Sequence, residues 1–247
     1  MKNKVSFFIV VISGIILFSA CRKKDGSVST VQAVSFPVIR ALDTSYVSPN
    51  LQTYYLGIDT ASQIYFFSFP VGKAPALNVT ATDSATGTIP VTYVIDGHLD
   101  PNTPGLYIYE FSAKSKYGYA SRVMYMIAVT NIDPTLDLSG IYNAVRAGDT
   151  IPGGTSIVKE AVGLYENIDG AVGFGVPTYF VQIDSTHLMF PNQLTAYNSQ
   201  GSQLPYIGTI GGTSGTINMS AADTTIQYTL ISDTLSLNNN IATFYKP

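Results

Sequence analysis

The chain opens on one apolar block and then settles into short alternations. Lys2 and Lys4 precede Val5–Ala20, 16 residues interrupted only by Ser6, Ser13, Gly14 and Ser19. That run is short of the roughly 20 residues a spanning helix needs, and with small residues at its end it has the form of the apolar region of an export signal. Gly26–Gln32 follows as a tether of mostly Ser, Thr and Val. From Phe36 apolar and polar positions alternate over 36–42, 53–58, 63–69, 76–81, 90–95, 106–113 and 121–130. Breakers separate the runs, among them Ser48-Pro49-Asn50, Pro70 to Pro75, Ala85-Thr86-Gly87, Asp96-Gly97 and Asp100 to Gly105. Such spacing predicts a β-sandwich. Within 121–130, Val123, Tyr125, Ile127 and Val129 share one face, the side that should meet a core. Asp133-Pro134 then marks a seam, because proline cannot continue a strand ladder and holds its predecessor extended. Seven further strands are predicted over 141–146, 156–162, 179–183, 188–190, 216–219, 225–231 and 241–245. No ten-residue stretch of this body carries a helical apolar period.

Leu17-Phe18-Ser19-Ala20-Cys21 resembles the lipobox of bacterial lipoproteins, where a small residue precedes a cysteine that takes diacylglycerol and becomes the new N-terminus. The chain departs from that pattern in having Phe18 where the motif usually has Leu, with Leu17 one place earlier. Cys21 is the sole cysteine, and acylation accounts for a lone thiol in an exported chain. The resemblance implies a signal peptide over 1–20, a lipidated cysteine and tether over 21–35, and a protein held on a membrane through Cys21. Cys21-Arg22-Lys23-Lys24-Asp25 is similar to the charged export tag of Bacteroidota surface lipoproteins, which implies the outer membrane and its exterior face.

Pro104-Gly105-Leu106-Tyr107-Ile108-Tyr109-Glu110-Phe111 resembles the closing signature of bacterial immunoglobulin-like domains. Applied to residues 36–132, the resemblance makes Tyr107 a corner tyrosine, its ring buried and its hydroxyl tied to nearby backbone. Tyr109 stands where an immunoglobulin has its second cysteine, so packing must replace the disulfide. Leu138-Ser139-Gly140-Ile141-Tyr142, a later Asp-Gly-rich turn and the closing strand resemble the C-terminal domain of a Bacteroidota outer-membrane lipoprotein family of unknown function. The expected fold is therefore all-β: an immunoglobulin-like β-sandwich, then a second antiparallel β-sandwich or small β-barrel over 136–247. The same resemblance implies an accessory role beside starch-utilisation-type outer-membrane transporters, capturing glycan or peptide.

Charge narrows the partners. Without residues 1–20 the chain keeps 11 basic and 16 acidic residues, a net charge of −5. Three of those bases, Arg22, Lys23 and Lys24, stand beside Cys21. The folded body is acidic and lacks the basic surface that nucleic acid requires. With 17 tyrosines and no tryptophan, its aromatic content favours strands.

Candidate chemistry is sparse. His98 and His187 fall in different predicted domains, so no histidine-based zinc site, and no cofactor, is expected. Gly170, Gly173 and Gly175 precede Pro177 and a strand rather than a helix, which argues against a phosphate loop. A glycosidase needs two facing carboxylates; Glu110, Glu160 and Glu166 are the only glutamates, and most aspartates precede turn residues. Asp96, Asp100 and Asn102 offer oxygen ligands of the kind calcium takes, although turn chemistry accounts for all three. Six triplets, including Asp83-Ser84-Ala85 and Asp184-Ser185-Thr186, are similar to O-glycan acceptors of exported Bacteroidota proteins. For binding, Lys116, Tyr117 and Tyr119 sit at a strand-joining tip, and Tyr197, Asn198, Gln203 and Tyr206 form an amide-rich loop with aromatics. The reading is a non-catalytic, lipid-anchored surface protein that binds a ligand, with a structural or adhesive protein as the rival class and an enzyme third. Cys21→Ser is expected to abolish incorporation of radiolabelled lipid and to leave the precursor uncut. Normal labelling and processing of that variant would remove the lipoprotein reading.

Overall fold

The computed structural model describes residues 36–43, 45, 51–55, 60–146, 149–170, 177–191, 193–197, 206–212, 215–219, 223–232 and 237–246. Every regular element among them is a strand. The first eight are β1 (Val38–Arg40), β2 (Leu51–Tyr55), β3 (Thr60–Phe69), β4 (Thr80–Asp83), β5 (Gly87–Ile89), β6 (Thr92–Ile95), β7 (Gly105–Lys114) and β8 (Ala120–Val129). They form two sheets, β1-β4-β5 and β2-β3-β8-β7-β6. β3 and β8 run parallel, with Phe66 opposite Met126 and Phe67 opposite Ile127, while β7 returns antiparallel on β8. Ile39 and Ala81 from the small sheet, with Ala41 just beyond β1, meet Phe67, Tyr109, Phe111, Val123, Tyr125 and Ile127 from the large one. This face of β8 is the one its alternation predicts. Tyr125 lies at the middle of the core, its ring 5.1 Å from Tyr65, 5.7 Å from Phe67 and 5.8 Å from Phe111.

The second half supplies β9 (Gly140–Arg146), β10 (Asp149–Ala161), β11 (Leu164–Asn167), β12 (Thr178–Gln182), β13 (His187–Met189), β14 (Gln193–Tyr197), β15 (Tyr206–Gly212), β16 (Gly215–Met219), β17 (Thr224–Ser232) and β18 (Leu237–Lys246). Strands β9 to β13 and β16 to β18 pair antiparallel in sequence order, and β18 returns to β9. The result is a closed barrel of eight strands, which decides between the two architectures the sequence allowed. An eight-stranded ring is just wide enough to be filled by side chains. Here Tyr142, Tyr165, Phe180, Phe190, Tyr228 and Phe244 fill it, with Phe190 stacked 4.5 Å from Tyr228. Hairpin β14–β15 stands outside the ring and joins it through β15 and β17.

The face of the five-stranded sheet turned away from the sandwich core is also buried. Phe66, Leu106, Ile108, Met126 and Ala128 pack on Ala161, Leu164, Tyr179 and Val181 of the barrel, with Phe66 and Tyr179 ring centroids 5.7 Å apart. The seam at Asp133-Pro134 is strapped down rather than free. Lys159 Nζ donates to Pro134 O and Leu136 O at 3.1 and 2.9 Å, and Thr130 Oγ1 donates to Gln182 O at 2.7 Å.

Tyrosine hydroxyls fasten the connections to the strands. Tyr107 is half-buried rather than buried, and donates to Thr103 O at 2.8 Å, while Tyr142 donates to Leu138 O at 2.7 Å with the same four-residue spacing. Leu99 N donates to Tyr109 OH at 2.6 Å, and Ala41 N donates to Tyr125 OH at 3.1 Å. Tyr165 OH accepts from Leu138 N and donates to Leu136 O. Burial pushes its phenol up to about 12 and raises Tyr142 and Tyr228 as well, so all three stay protonated through the ordinary pH range.

Truncating the shared face tests its role. Phe66→Ala is expected to cost about 3–5 kcal/mol, the range for a large aromatic removed from a core. Hydrogen exchange read by mass spectrometry should then show β7–β8 and β11–β12 losing protection together. Barrel strands that kept full protection would mean that the two parts fold apart.

Candidate functional site

The predicted tip joins β7 to β8 as a closed turn. Ser115 N donates to Tyr119 O at 2.8 Å, Gly118 N donates to Ser115 O at 3.1 Å, and Gly118 takes a φ of 95°, a left-handed conformation glycine adopts without strain. Tyr119 turns its ring edge-on to Phe36 at 5.7 Å. Tyr117 is 44% exposed, but Lys116 Nζ stands 4.8 Å over its ring, a cation–π contact that occupies one face of it. The tip therefore presents less aromatic surface than its sequence promises.

The second predicted site is partly in view. Tyr197 and Tyr206 are opposed residues of hairpin β14–β15, described here by their backbone, and Asn198 and Gln203 fall between them in sequence. Those two residues, like Cys21, lie outside the described residues.

The polar residues of interest are engaged in local structure. Asp100 accepts from Asn102 N at 2.9 Å and from Thr103 Oγ1 at 2.6 Å, so both of its oxygens serve the turn. Glu110, Glu160 and Glu166 are all buried. Glu110 lies 3.5 Å from Arg122, and Glu166 accepts from Tyr179 OH at 3.2 Å. Among the described residues, no group of three or more His, Cys, Asp or Glu side chains is placed to hold a metal ion. Inside the barrel Thr155 and Asn167 share a short hydrogen bond, and Asn167 Nδ2 donates to Tyr228 OH at 3.0 Å. This network is buried. Ser84 and Ser185, from two of the Asp-Ser triplets, stand exposed at turns.

A feature the sequence reading did not isolate is a cleft of about 430 Å³ beside β6, walled by Pro75, Leu77, Tyr93, Asp96, Leu99 and Tyr109 among others. Tyr93 packs its edge against Phe111 at 5.0 Å and remains 54% exposed. After β6 the chain turns close on β7: a Cβ at Gly97 would fall 2.6 Å from Ile108 O, so only glycine lets it lie this near. His98 follows in the left-handed region at φ 47°. The available signal was Thr92-Tyr93-Val94-Ile95, which offers no clean polar face for solvent.

The fold defines an all-β protein, a sandwich fused to an eight-stranded barrel. No protein-family model matches the chain, and no curated protein matches it. Among solved structures it is similar to the lipoprotein BT2262 from Bacteroides thetaiotaomicron, at 14% identity and a TM-score of 0.27 over 79% of this chain and 98% of that one. It is also similar to the structure of CBM51-2 in complex with GlcNAc and INT domains from Clostridium perfringens ZmpB. There the identity is 12% and the TM-score 0.26, over 85% of this chain and 43% of that one. TM-scores of this size do not establish a common fold, and no property of either protein transfers to this chain.

One exposed turn yields a pH prediction. Asp184 accepts from Thr186 N and His187 N, each at 2.7 Å, and lies 2.8 Å from His187 Nδ1. Led by the Thr186 N–H, these contacts hold its carboxyl down to about 2. A depressed folded value means the contribution is complete above the ordinary carboxylate range and lost as pH falls toward 2. The loss is small because the pair is solvated. Carbon-detected NMR should give a midpoint near 2 for Asp184, and an ordinary midpoint would mean that the turn is open in solution.

Proposed function

We propose that this chain is a non-catalytic, lipid-anchored protein of the outer-membrane exterior, an accessory ligand-binding component of starch-utilisation-type nutrient uptake. The observation that carries the binding part is the open cleft beside Tyr93, where a half-exposed aromatic ring and one carboxylate meet apolar walls. Concave apolar surface with a few polar groups suits recognition. The anchoring part rests on the lipobox-like residues through Cys21. The barrel contributes a filled, rigid support. A structural or adhesive role is the second reading, favoured by Ile141 and Ile168, exposed apolar residues that flank Ser156 on the barrel's outer face.

The full chain in detergent, applied to glycan and peptide arrays, is expected to retain a defined ligand class and to leave it chemically unchanged by mass spectrometry. Turnover of a retained ligand would make the protein an enzyme. Failure to bind on both arrays, together with lost cell–cell adhesion in a deletion strain, would favour the adhesive reading.

A further inference from the structure

We infer that the open edge of β6 is a docking site for an extended, basic polypeptide segment of another protein, which adds as a strand beside Thr92–Ile95. The inference rests on the ligand-binding reading above and names the ligand of the same cleft. Among the described residues β6 pairs with β7 alone, so its other edge faces outward without a strand partner. Edges of this kind are normally blunted by charge or proline. Thr92-Tyr93-Val94-Ile95 contains neither, although Pro90 precedes it, and Val94 is 44% exposed beside the half-exposed Tyr93. The residues are good strand formers at an edge guarded only by its four-residue length and the register shift between Tyr93 and Ile95.

The cleft lies over the face that Tyr93 and Tyr109 share, where β6 ends the sheet. Along an added strand successive side chains point to opposite faces, so alternate ones would enter the space between Tyr93 and the Pro75–Leu77 wall. Main-chain hydrogen bonds supply affinity in this mode, and the pockets supply selectivity. Asp96 is the one charged residue of the wall; it accepts from His98 N at 3.2 Å and lies 3.7 Å from His98 Nδ1, and with its side chain about half exposed it favours a cation on the peptide. A second copy of the chain is a poorer occupant. Two copies would bring together bodies of like, acidic net charge, which a basic segment avoids.

The test uses the full chain in zwitterionic detergent and a library of dye-labelled octapeptides that alternate Lys or Arg with Val, Ile, Leu or Tyr. Fluorescence anisotropy should find binders, and the same sequences with proline at the apolar positions should not bind. Val94→Lys, at an exposed position, is expected to weaken the best binder at least tenfold, and Asp96→Asn to weaken it severalfold. Full binding by both Val94→Lys and Tyr93→Ala, or no binder in the library, overturns the proposal. A glycan-array ligand unaffected by these variants would overturn it while leaving the proposed function standing. Silence of the library and of both arrays would remove the two together.

Discussion

A five-stranded sheet with apolar residues on both faces cannot be left half covered, and that constraint organises the molecule. One face of β3, β7 and β8 carries Phe67, Tyr109, Phe111, Val123, Tyr125 and Ile127, which the small sheet covers. The other carries Phe66, Leu106, Ile108, Met126 and Ala128, which the barrel covers. Each large apolar side chain fully withdrawn from water contributes about 1.5–3 kcal/mol. A sandwich released from its barrel would expose a contiguous apolar patch of the kind soluble monomers rarely tolerate. The two halves are distinct in topology and joined in their packing. The straps at Pro134, Leu136 and Gln182 follow from this, because a segment lying between two surfaces pressed together has backbone groups that need partners.

Tyrosine is the residue that makes such joints work without a disulfide or tryptophan. Its ring fills the core as phenylalanine would, and its hydroxyl reaches the edge and satisfies a loop. Tyr109 illustrates the device: its buried ring stacks on Phe111 and its phenol accepts from Leu99 N. The barrel repeats the device with Tyr142 and Tyr165, which hold Leu136 and Leu138 over one end of the filled interior.

The strands with clean alternation were legible in the sequence: β8 from Val123, Tyr125, Ile127 and Val129, and β7 from Tyr107, Tyr109 and Phe111. Two-sided burial was legible too, had the complementary set been weighed. Met124, Met126 and Ala128 are also apolar, and a strand buried on both faces loses its alternation. The closed barrel was not legible, since closure depends on β18 finding β9 across about a hundred residues, which no local pattern encodes. Strands β5, β11, β14 and β15 escaped because they are short, polar or glycine-containing. Of the candidate site, Lys116 and Tyr117 fall in the β7–β8 turn, and their contact with each other is a side-chain matter that spacing does not show. The cleft escaped because its walls, Pro75, Leu77, Tyr93 and Leu99, come from three separated segments.

The position of hairpin β14–β15 has an evolutionary consequence. β13 and β16 are ladder neighbours, so the chain leaves the ring and re-enters it at adjacent staves. The ladder of the ring therefore closes without the segment beyond Phe190, whose own ring belongs to the filled interior. The entropic cost of a longer excursion grows only with the logarithm of its length. Descendants of this chain can lengthen, trim or replace that arm while inheriting the ring intact, so sequence drift has an outlet there that the doubly covered sheet denies it.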